Sequence, residues 1–337
     1  MKRTHLRFDK NSFDVFKNAT IIPTERNNKQ KEFIGSAYDN KGLLIDDTKR
    51  YNAALWTAKD PKEIELADEE IPFLEGRSIY MGYITKHYGH FLMETLSRMW
   101  FPAQSKNYDR LIFQHYFVEQ FAFPDNYIFQ PFEVFKKALG IDNSKVHFIT
   151  EKSIANTLVV PKEQLVIGRK VSAKFRKLLD VVVNYCQKEF PKPNKTWGKK
   201  IYLSRSMWNK KRFSCINETE VEKIFIAKGF KIIHPQTMPY EEQVALINHA
   251  DVIAGFNGSS LHNVMFAKHN TKIIGLGNTR VHQKGRFHGN QKICNELINA
   301  KTFFIPFKGK EKDHHSFVFN TNYLERKLDG INSRISD

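Results

Sequence analysis

Cysteine is scarce in this chain. Three residues, at 186, 215 and 294, are widely spaced and include no Cys-x-x-Cys pair, so neither a zinc site nor a redox couple is expected, and we read them as reduced core or surface thiols. Long apolar runs are also missing, and no window approaches the roughly 18 apolar residues of a membrane span. The basic start Met1-Lys2-Arg3-Thr4-His5-Leu6-Arg7 is not followed by an apolar stretch, so no secretory signal is expected. Metal-ligand patterns are lacking too. His87 and His90 stand three apart without a His-Glu-x-x-His context, His314-His315 lies in a lysine-rich segment, and no Asp-x-Asp occurs to hold a divalent ion. We therefore expect no metal and no cofactor, in a soluble cytoplasmic protein that rests, if at all, on the inner face of the membrane by charge.

What the chain has in excess is positive charge: 53 Lys and Arg against 36 Asp and Glu, a formal +17 over 337 residues. Such a field favours anionic partners, whether nucleotide phosphates, acidic glycans, nucleic acid or an anionic leaflet, and a plain solvated lysine surface is the competing reading. With 41% hydrophobic residues there is enough apolar material for two ordinary domains.

The text alternates. After a weakly readable stretch to about 75, with β-like runs at 19–23 and 42–45, a strand is expected at 78–83. A helix then opens near His90, with Phe91, Leu92, Thr95, Leu96, Met99 and Trp100 on its buried face. Strands at 110–113 and 146–149 flank a helix near 132–139, and a long helix covers 174–190. Pro191-Lys192-Pro193-Asn194-Lys195 has linker composition and places the domain boundary near 192/193. Beyond it we expect strands at 200–204, 230–233, 251–255 and 272–276. Helices open at Asn217-Glu218-Thr219-Glu220, which offers an N-cap, at 239–249 and at 261–267. Four strands and three helices imply a doubly wound sheet, which binds ligands at its carboxyl edge.

Two constellations could carry chemistry. Gly255-Phe256-Asn257-Gly258-Ser259-Ser260 turns from strand to helix, where backbone N–H groups and the helix dipole favour phosphate. A glycine-permitted turn with a serine N-cap is the plain alternative. Ser204-Arg205 ends the first strand of the same sheet and brings a guanidinium suited to a diphosphate. Lys210, Lys211 and Arg212 nearby either raise the potential for an acidic acceptor or form a solvated face. The second constellation is the stripe His90, Glu94, Arg98, with His87 upstream. Glycosyl transfer with inversion needs a base for the acceptor hydroxyl, and either His90 or Glu94 could serve. Alternatively Glu94 and Arg98 make an i,i+4 ion pair and His90 caps the helix.

In two blocks the sequence resembles glycosyltransferase family 61. One is His87-Tyr88-Gly89-His90-Phe91-Leu92-Met93-Glu94-Thr95-Leu96-Ser97-Arg98-Met99-Trp100. The other runs from Ile201-Tyr202-Leu203-Ser204-Arg205 through Asn217-Glu218, Glu242-Gln243-Val244 and Ala250-Asp251-Val252-Ile253 to Gly258-Ser259-Ser260-Leu261-His262-Asn263 and Phe266-Ala267. The resemblance implies an α/β, GT-B-like architecture of two Rossmann-like domains facing a cleft. Residues 1–192 would hold acceptor and base, 193–312 would hold a nucleotide-sugar donor, and 313–337 would form a tail helix returning to the first domain. It implies inverting, metal-independent transfer of a hexosyl or pentosyl group, with a uridine donor expected, to a capsular or other surface polysaccharide or a glycolipid, including acidic ones. By the same resemblance Arg205 and the turn Gly258-Ser259-Ser260 take the donor phosphates, with Asn257, His262 and Asn263 expected beside them, and His90 and Glu94 occupy the catalytic positions. His87, Arg98, Lys210, Lys211 and Arg212 support the acceptor. Where members read Gly-x-His-Gly-Ala-Gly-Leu-Thr-Asn, this chain has Asn257 for the first histidine and His262 for the threonine, and Gly275 stands where a glutamate is usual. A nucleic-acid-binding protein and a glycan-binding module without turnover are the other classes weighed, and no nucleic-acid module is recognisable.

Overall fold

The computed structural model describes residues 12–50, 57–66, 70–117, 119, 122, 129–167, 170–191, 197–208, 214–279, 286–313 and 316–335. Lys210, Lys211, Arg212, His314-His315, Met1 to Arg7 and all of the expected linker except Pro191 lie outside the described residues. The chain divides into two compact units, Met1–Leu178 and Leu179–Asp337. That division falls inside a helix, upstream of the boundary expected at 192/193.

In the first unit the elements are β1 (Phe13–Ile21), β2 (Glu25–Asn27), β3 (Glu32–Ile34), β4 (Ala37–Tyr38), β5 (Thr57–Ala58), β6 (Phe73–Ile84), α1 (Tyr88–Met93), α2 (Trp100–Gln104), β7 (Arg110–His115), α3 (Gln130–Leu139), β8 (Val146–Ile149), β9 (Ser153–Pro161), β10 (Leu165–Val166) and β11 (Lys170–Val171). Helix α4 (Ala173–Glu189) follows and carries the chain across the division. Six strands form one sheet in the order β4-β1-β9-β6-β7-β8. The β9-β6-β7-β8 part is parallel, whereas β1 runs antiparallel to both β9 and β4. The alternation after residue 78 thus builds the parallel part, and the segment the sequence barely resolved adds an antiparallel edge. Its core gathers Ile21, Ile45, Tyr80, Ile112, Ile149, Leu158 and Val160. Helix α3 ends where Gly140 adopts φ +58, a left-handed C-cap whose N–H returns to the Lys136 and Lys137 carbonyls.

The second unit contains β12 (Lys200–Leu203), β13 (Ser214–Cys215), α5 (Glu218–Ala227), β14 (Lys231–Ile233), α6 (Tyr240–His249), β15 (Val252–Phe256), β16 (Lys272–Leu276), α7 (Gly289–Leu297), β17 (Lys301–Ile305), β18 (Gly309–Asp313), β19 (Ser316–Phe319) and α8 (Thr321–Ile335). Its main sheet has five parallel strands in the order β14-β12-β15-β16-β17. Counted along the chain this is 2-1-3-4-5, a doubly wound order whose switch point lies between β12 and β15. Strand β17 went unread in the sequence because Lys301-Thr302 opens it with polar residues. The expected helix at 261–267 is a short 3-10 helix, Leu261–Phe266.

Two local expectations change. Asn217 makes no side-chain cap bond. Its amide instead donates to the Phe319 carbonyl (3.0 Å) and accepts from the Phe319 N–H (2.9 Å), joining α5 to β19. Helix α8, expected to return to the first domain, buries Leu324, Leu328, Ile331 and Ile335 in the second unit's core beside Tyr202, Phe225 and Phe303. Its apolar stripe at i, i+4, i+7, i+11 finds a matching surface there.

Candidate active site

The helix predicted to run from His90 is interrupted. Helix α1 stops at Met93, Glu94 takes φ −125 and ψ −59, and a 3-10 turn (Thr95–Arg98) leads to α2. The break turns the stripe into two separate constellations. His90 Nδ1 lies 2.6 Å from Glu94 Oε1, so these two meet as the spacing suggested. Arg98 does not join them. Its Nη1 donates to Glu163 Oε1 (2.8 Å), its Nε to the Pro161 carbonyl (3.0 Å) and its Nη2 to the Asp47 carbonyl (2.5 Å). The Glu94–Arg98 pair expected on helical spacing is absent, and Arg98 ties β9 to the loop after β4. Gly82, at φ +80, makes room for it, since a Cβ there would stand 2.8 Å from Arg98 Nη1.

Glu94 has a different cation. Arg50 Nε and Nη2 both donate to Glu94 Oε2, at 2.9 and 2.6 Å, with Tyr116 Oη 3.5 Å from the same oxygen. The Arg50 guanidinium lies 4.5 Å from the Phe117 ring centroid. Burial pushes the Glu94 carboxyl up, but the Arg50 charge and the hydrogen bonds from His90 and Arg50 outweigh it and leave it below its ordinary value. An ionised carboxylate only accepts, so His90 Nδ1 donates to it, and the neutral form of this imidazole carries its lone pair on Nε2. His87 is the residue before α1, its ring centroid 4.8 Å from that of His90. A cavity of about 410 Å³ opens beside this group, lined by Arg50, Tyr83, Met93, Glu94, Lys162 and Leu165 among others. Arg50, Tyr116 and Glu163 were missed in the sequence because they come from other elements, at separations of 22 to 65 residues from the stripe residues they serve.

In the second unit, Ser204-Arg205 follows β12 and the turn 257–260 follows β15, so the two stand at the carboxyl ends of adjacent strands at the switch point. The Arg205 loop is held by two carboxylates of α5. Glu218 Oε1, buried, accepts from the Arg205 N–H (2.9 Å) and Tyr202 Oη (3.0 Å). Glu222 Oε1 accepts from Ser204 Oγ (2.5 Å) and Ser206 Oγ (2.6 Å). Burial raises the Glu218 carboxyl despite these donors, and burial lowers the Arg205 guanidinium while Glu218 opposes it.

The turn itself is set by backbone bonds from Asn257 N–H to the Leu276 carbonyl (2.8 Å) and from Asn278 Nδ2 to the Asn257 carbonyl (2.9 Å). Asn257 is 6% exposed, yet among the described residues neither Nδ2 nor Oδ1 has a hydrogen-bond partner, and Ser260 Oγ, also buried, has none. Ser260 makes no cap bond, which removes the serine-cap alternative. Gly258 needs neither a left-handed backbone nor space from its neighbours, for a Cβ there would meet nothing within 4 Å. Its missing side chain leaves the backbone open to an approaching group. The six-residue 3-10 helix that follows replaces the helix dipole invoked from the sequence. His262 and Asn263 are buried in it, and Gln291 of α7 donates to the Leu261 carbonyl (3.2 Å).

The family model described as Glycosyltransferase 61 matches residues 88–274, more than half of the chain. The chain belongs to glycosyltransferase family 61. No curated protein matches it. Membership of this family supports glycosyltransferase activity and implies a sugar donor and a glycan acceptor in general. The match begins at α1 and ends inside β16, so it takes in the His90–Glu94 pair, the Arg205 loop and the Asn257 turn of this family 61 protein. Among the described residues no three His, Cys, Asp or Glu side chains converge as metal ligands. No helix among them is long and apolar enough to cross a membrane.

Proposed function

We propose that the protein transfers a glycosyl group, with inversion and without a metal, from a nucleotide-diphosphate sugar to a hydroxyl of a surface polysaccharide or glycolipid. A uridine donor is the first candidate. The carrying observation is the pair of orphaned buried groups at the switch point. Asn257 and Ser260 hold three buried polar atoms without partners among the described residues, beside an open Gly258, a costly arrangement unless a polar ligand completes it. A diphosphate supplies acceptor oxygens for Asn257 Nδ2 and Ser260 Oγ, a hydroxyl of the nucleotide sugar suits Asn257 Oδ1, and Arg205 supplies the charge that receives the leaving group. Ser259, partly exposed, adds a hydroxyl to the same turn.

In this reading the base is His90. Its imidazole is the more exposed partner, 38% against 13% for Glu94, and Glu94 is an ionised orienting carboxylate. The acceptor O–H gives its proton to His90 Nε2 as its oxygen bonds to the anomeric carbon. The bond from that carbon to the donor phosphate breaks, and the electron pair leaves with the nucleoside diphosphate. One displacement inverts the anomeric centre. The cavity of about 410 Å³ beside Glu94, with apolar Met93 and Leu165 and polar Lys162 and Glu163, suits a sugar ring as acceptor. The two units are taken as the donor and acceptor domains of a GT-B enzyme.

The test is a calorimetric panel of uridine, guanosine and cytidine diphosphates, followed by donor turnover with product mass. Saturable binding of one diphosphate that Asn257→Ala and Arg205→Ala weaken supports the reading. Absence of binding to all three removes it.

A further inference from the structure

The amino-terminal edge of the five-stranded sheet carries a row of lysines. Four of its five strands begin with lysine: β12 with Lys200, β14 with Lys231, β16 with Lys272 and β17 with Lys301. The register aligns them, since Lys200 pairs Val252, Val252 pairs Lys272, Lys272 pairs Lys301, and Lys231 pairs Ile201 one residue further in. The row therefore crosses the whole edge, four inter-strand spacings or ~19 Å. Exposed Lys199, Lys268 and Arg334 widen it from a line to a face. Asp251, 3.9 Å from Lys199, is the acid lining the shallow depression of about 350 Å³ that Lys199, Lys200, Lys268 and Lys272 share.

Helix capping accounts for part of this. Lys199 donates to the His249 carbonyl (3.1 Å), Lys301 to the Arg334 carbonyl (3.2 Å) and Lys272 to the Ile335 carbonyl, as cations do at helix C-termini. Each carbonyl takes one of three ammonium protons and supplies no full negative charge. The excess of cations remains, on the end of the sheet opposite the Arg205 loop and the Asn257 turn.

We propose that this lysine edge is a docking surface for an anionic lipid bilayer, with the cation-lined depression taking a lipid phosphate. The cations spread over a face in two directions and do not follow a groove, which fits a charged plane better than a single polyanionic strand. Lying at the far end of the same strands, the contact leaves the carboxyl edge exposed to its ligand.

The test is co-sedimentation of the full chain with phosphatidylcholine vesicles, with and without phosphatidylglycerol. Binding is expected only with the anionic lipid, and it should fall with added salt. The triple variant Lys199→Gln, Lys231→Gln, Lys268→Gln should lower partitioning by about a hundredfold, near fivefold for each lysine. Its thermal midpoint should fall by no more than a few degrees, from the lost Lys199 contact to the His249 carbonyl, and nucleoside-diphosphate binding should be unchanged. The control triple Lys223→Gln, Lys310→Gln, Lys312→Gln removes the same charge from exposed sites elsewhere in the unit and should bind nearly as the parent does. Failure to bind anionic vesicles overturns the proposal. So does an equal loss in both triples, which would mean diffuse charge, or an edge-sensitive affinity for soluble acidic polysaccharide alone.

Discussion

Arg50 and Glu94, 44 residues apart in sequence, form a nearly buried ion pair in which two guanidinium nitrogens share one carboxylate oxygen, the shorter contact being 2.6 Å. The other oxygen of Glu94 holds His90. This relationship makes Glu94 an anion inside a wall of Tyr83, Tyr116 and Phe117 and sets the His90 tautomer. Removing Arg50 therefore strands a buried carboxylate. Arg50→Met should destabilise the first unit by roughly 3–5 kcal/mol, and Arg50→Met with Glu94→Gln should recover much of that loss, in denaturant unfolding.

The pH dependence of the same pair has a defined sign. The Glu94 carboxyl is lowered in the folded state, so its contribution to stability is present above the unfolded carboxylate value and fades as pH falls through the folded one. In Arg50→Met burial acts with less opposition and moves the carboxyl up, so the loss of stability on the acid side should shrink in thermal midpoints relative to the parent.

His90→Ala should lower turnover by roughly a hundred- to ten-thousand-fold with nucleoside-diphosphate affinity unchanged, because the base acts on the acceptor proton. Glu94→Gln should retain the hydrogen bond to His90 and lose the charge, giving an intermediate rate. Unaltered turnover in His90→Ala would remove the imidazole from the mechanism.

Gly258→Ala separates ligand approach from folding. Nothing stands within 4 Å of the added Cβ, so stability should change by less than about 0.5 kcal/mol. Diphosphate affinity should drop about tenfold or more, equivalent to about 1.4 kcal/mol by calorimetry. Equal affinity in the variant would place the phosphates elsewhere.

Gly275 behaves in the opposite way. An added Cβ would lie 2.1 Å from Phe287 Cε1, and Phe287 packs edge-on to Phe304 at 5.1 Å. Gly275→Ala should cost roughly 1–3 kcal/mol, with Phe287→Leu in the same chain relieving part of it in thermal unfolding. The space a side chain at 275 would need is occupied by the Phe287 ring.

Glu218→Gln keeps an oxygen to receive the Arg205 N–H while removing a buried charge. Burial raises this carboxyl, so the native state favours its neutral form, and that preference is lost as pH rises through the raised value. At neutral pH the Gln variant should thus be as stable as the parent or more so, and Glu218→Ala should weaken diphosphate binding by releasing the Arg205 loop. Calorimetry on both variants, with thermal midpoints, checks this.

Periodicity determined much of the second unit. Runs such as 251–255 and 272–276 are apolar enough to be buried parallel strands, and that alone brings Ser204-Arg205 and the Asn257 turn to one edge. The His90–Glu94 contact followed from a single helical turn. Arg50, however, reaches Glu94 from a loop, and the break at Glu94 that sends Arg98 to Glu163 depends on how β9 and the β4 loop pack. The orphaned amide of Asn257, the open Cβ of Gly258 and the ring over Gly275 likewise depend on neighbours brought in by folding. Local sequence dictates elements because side-chain spacing decides which face is apolar. Partners of charged and polar groups are chosen by the three-dimensional packing that buries them, and only the tertiary structure of this chain decided those.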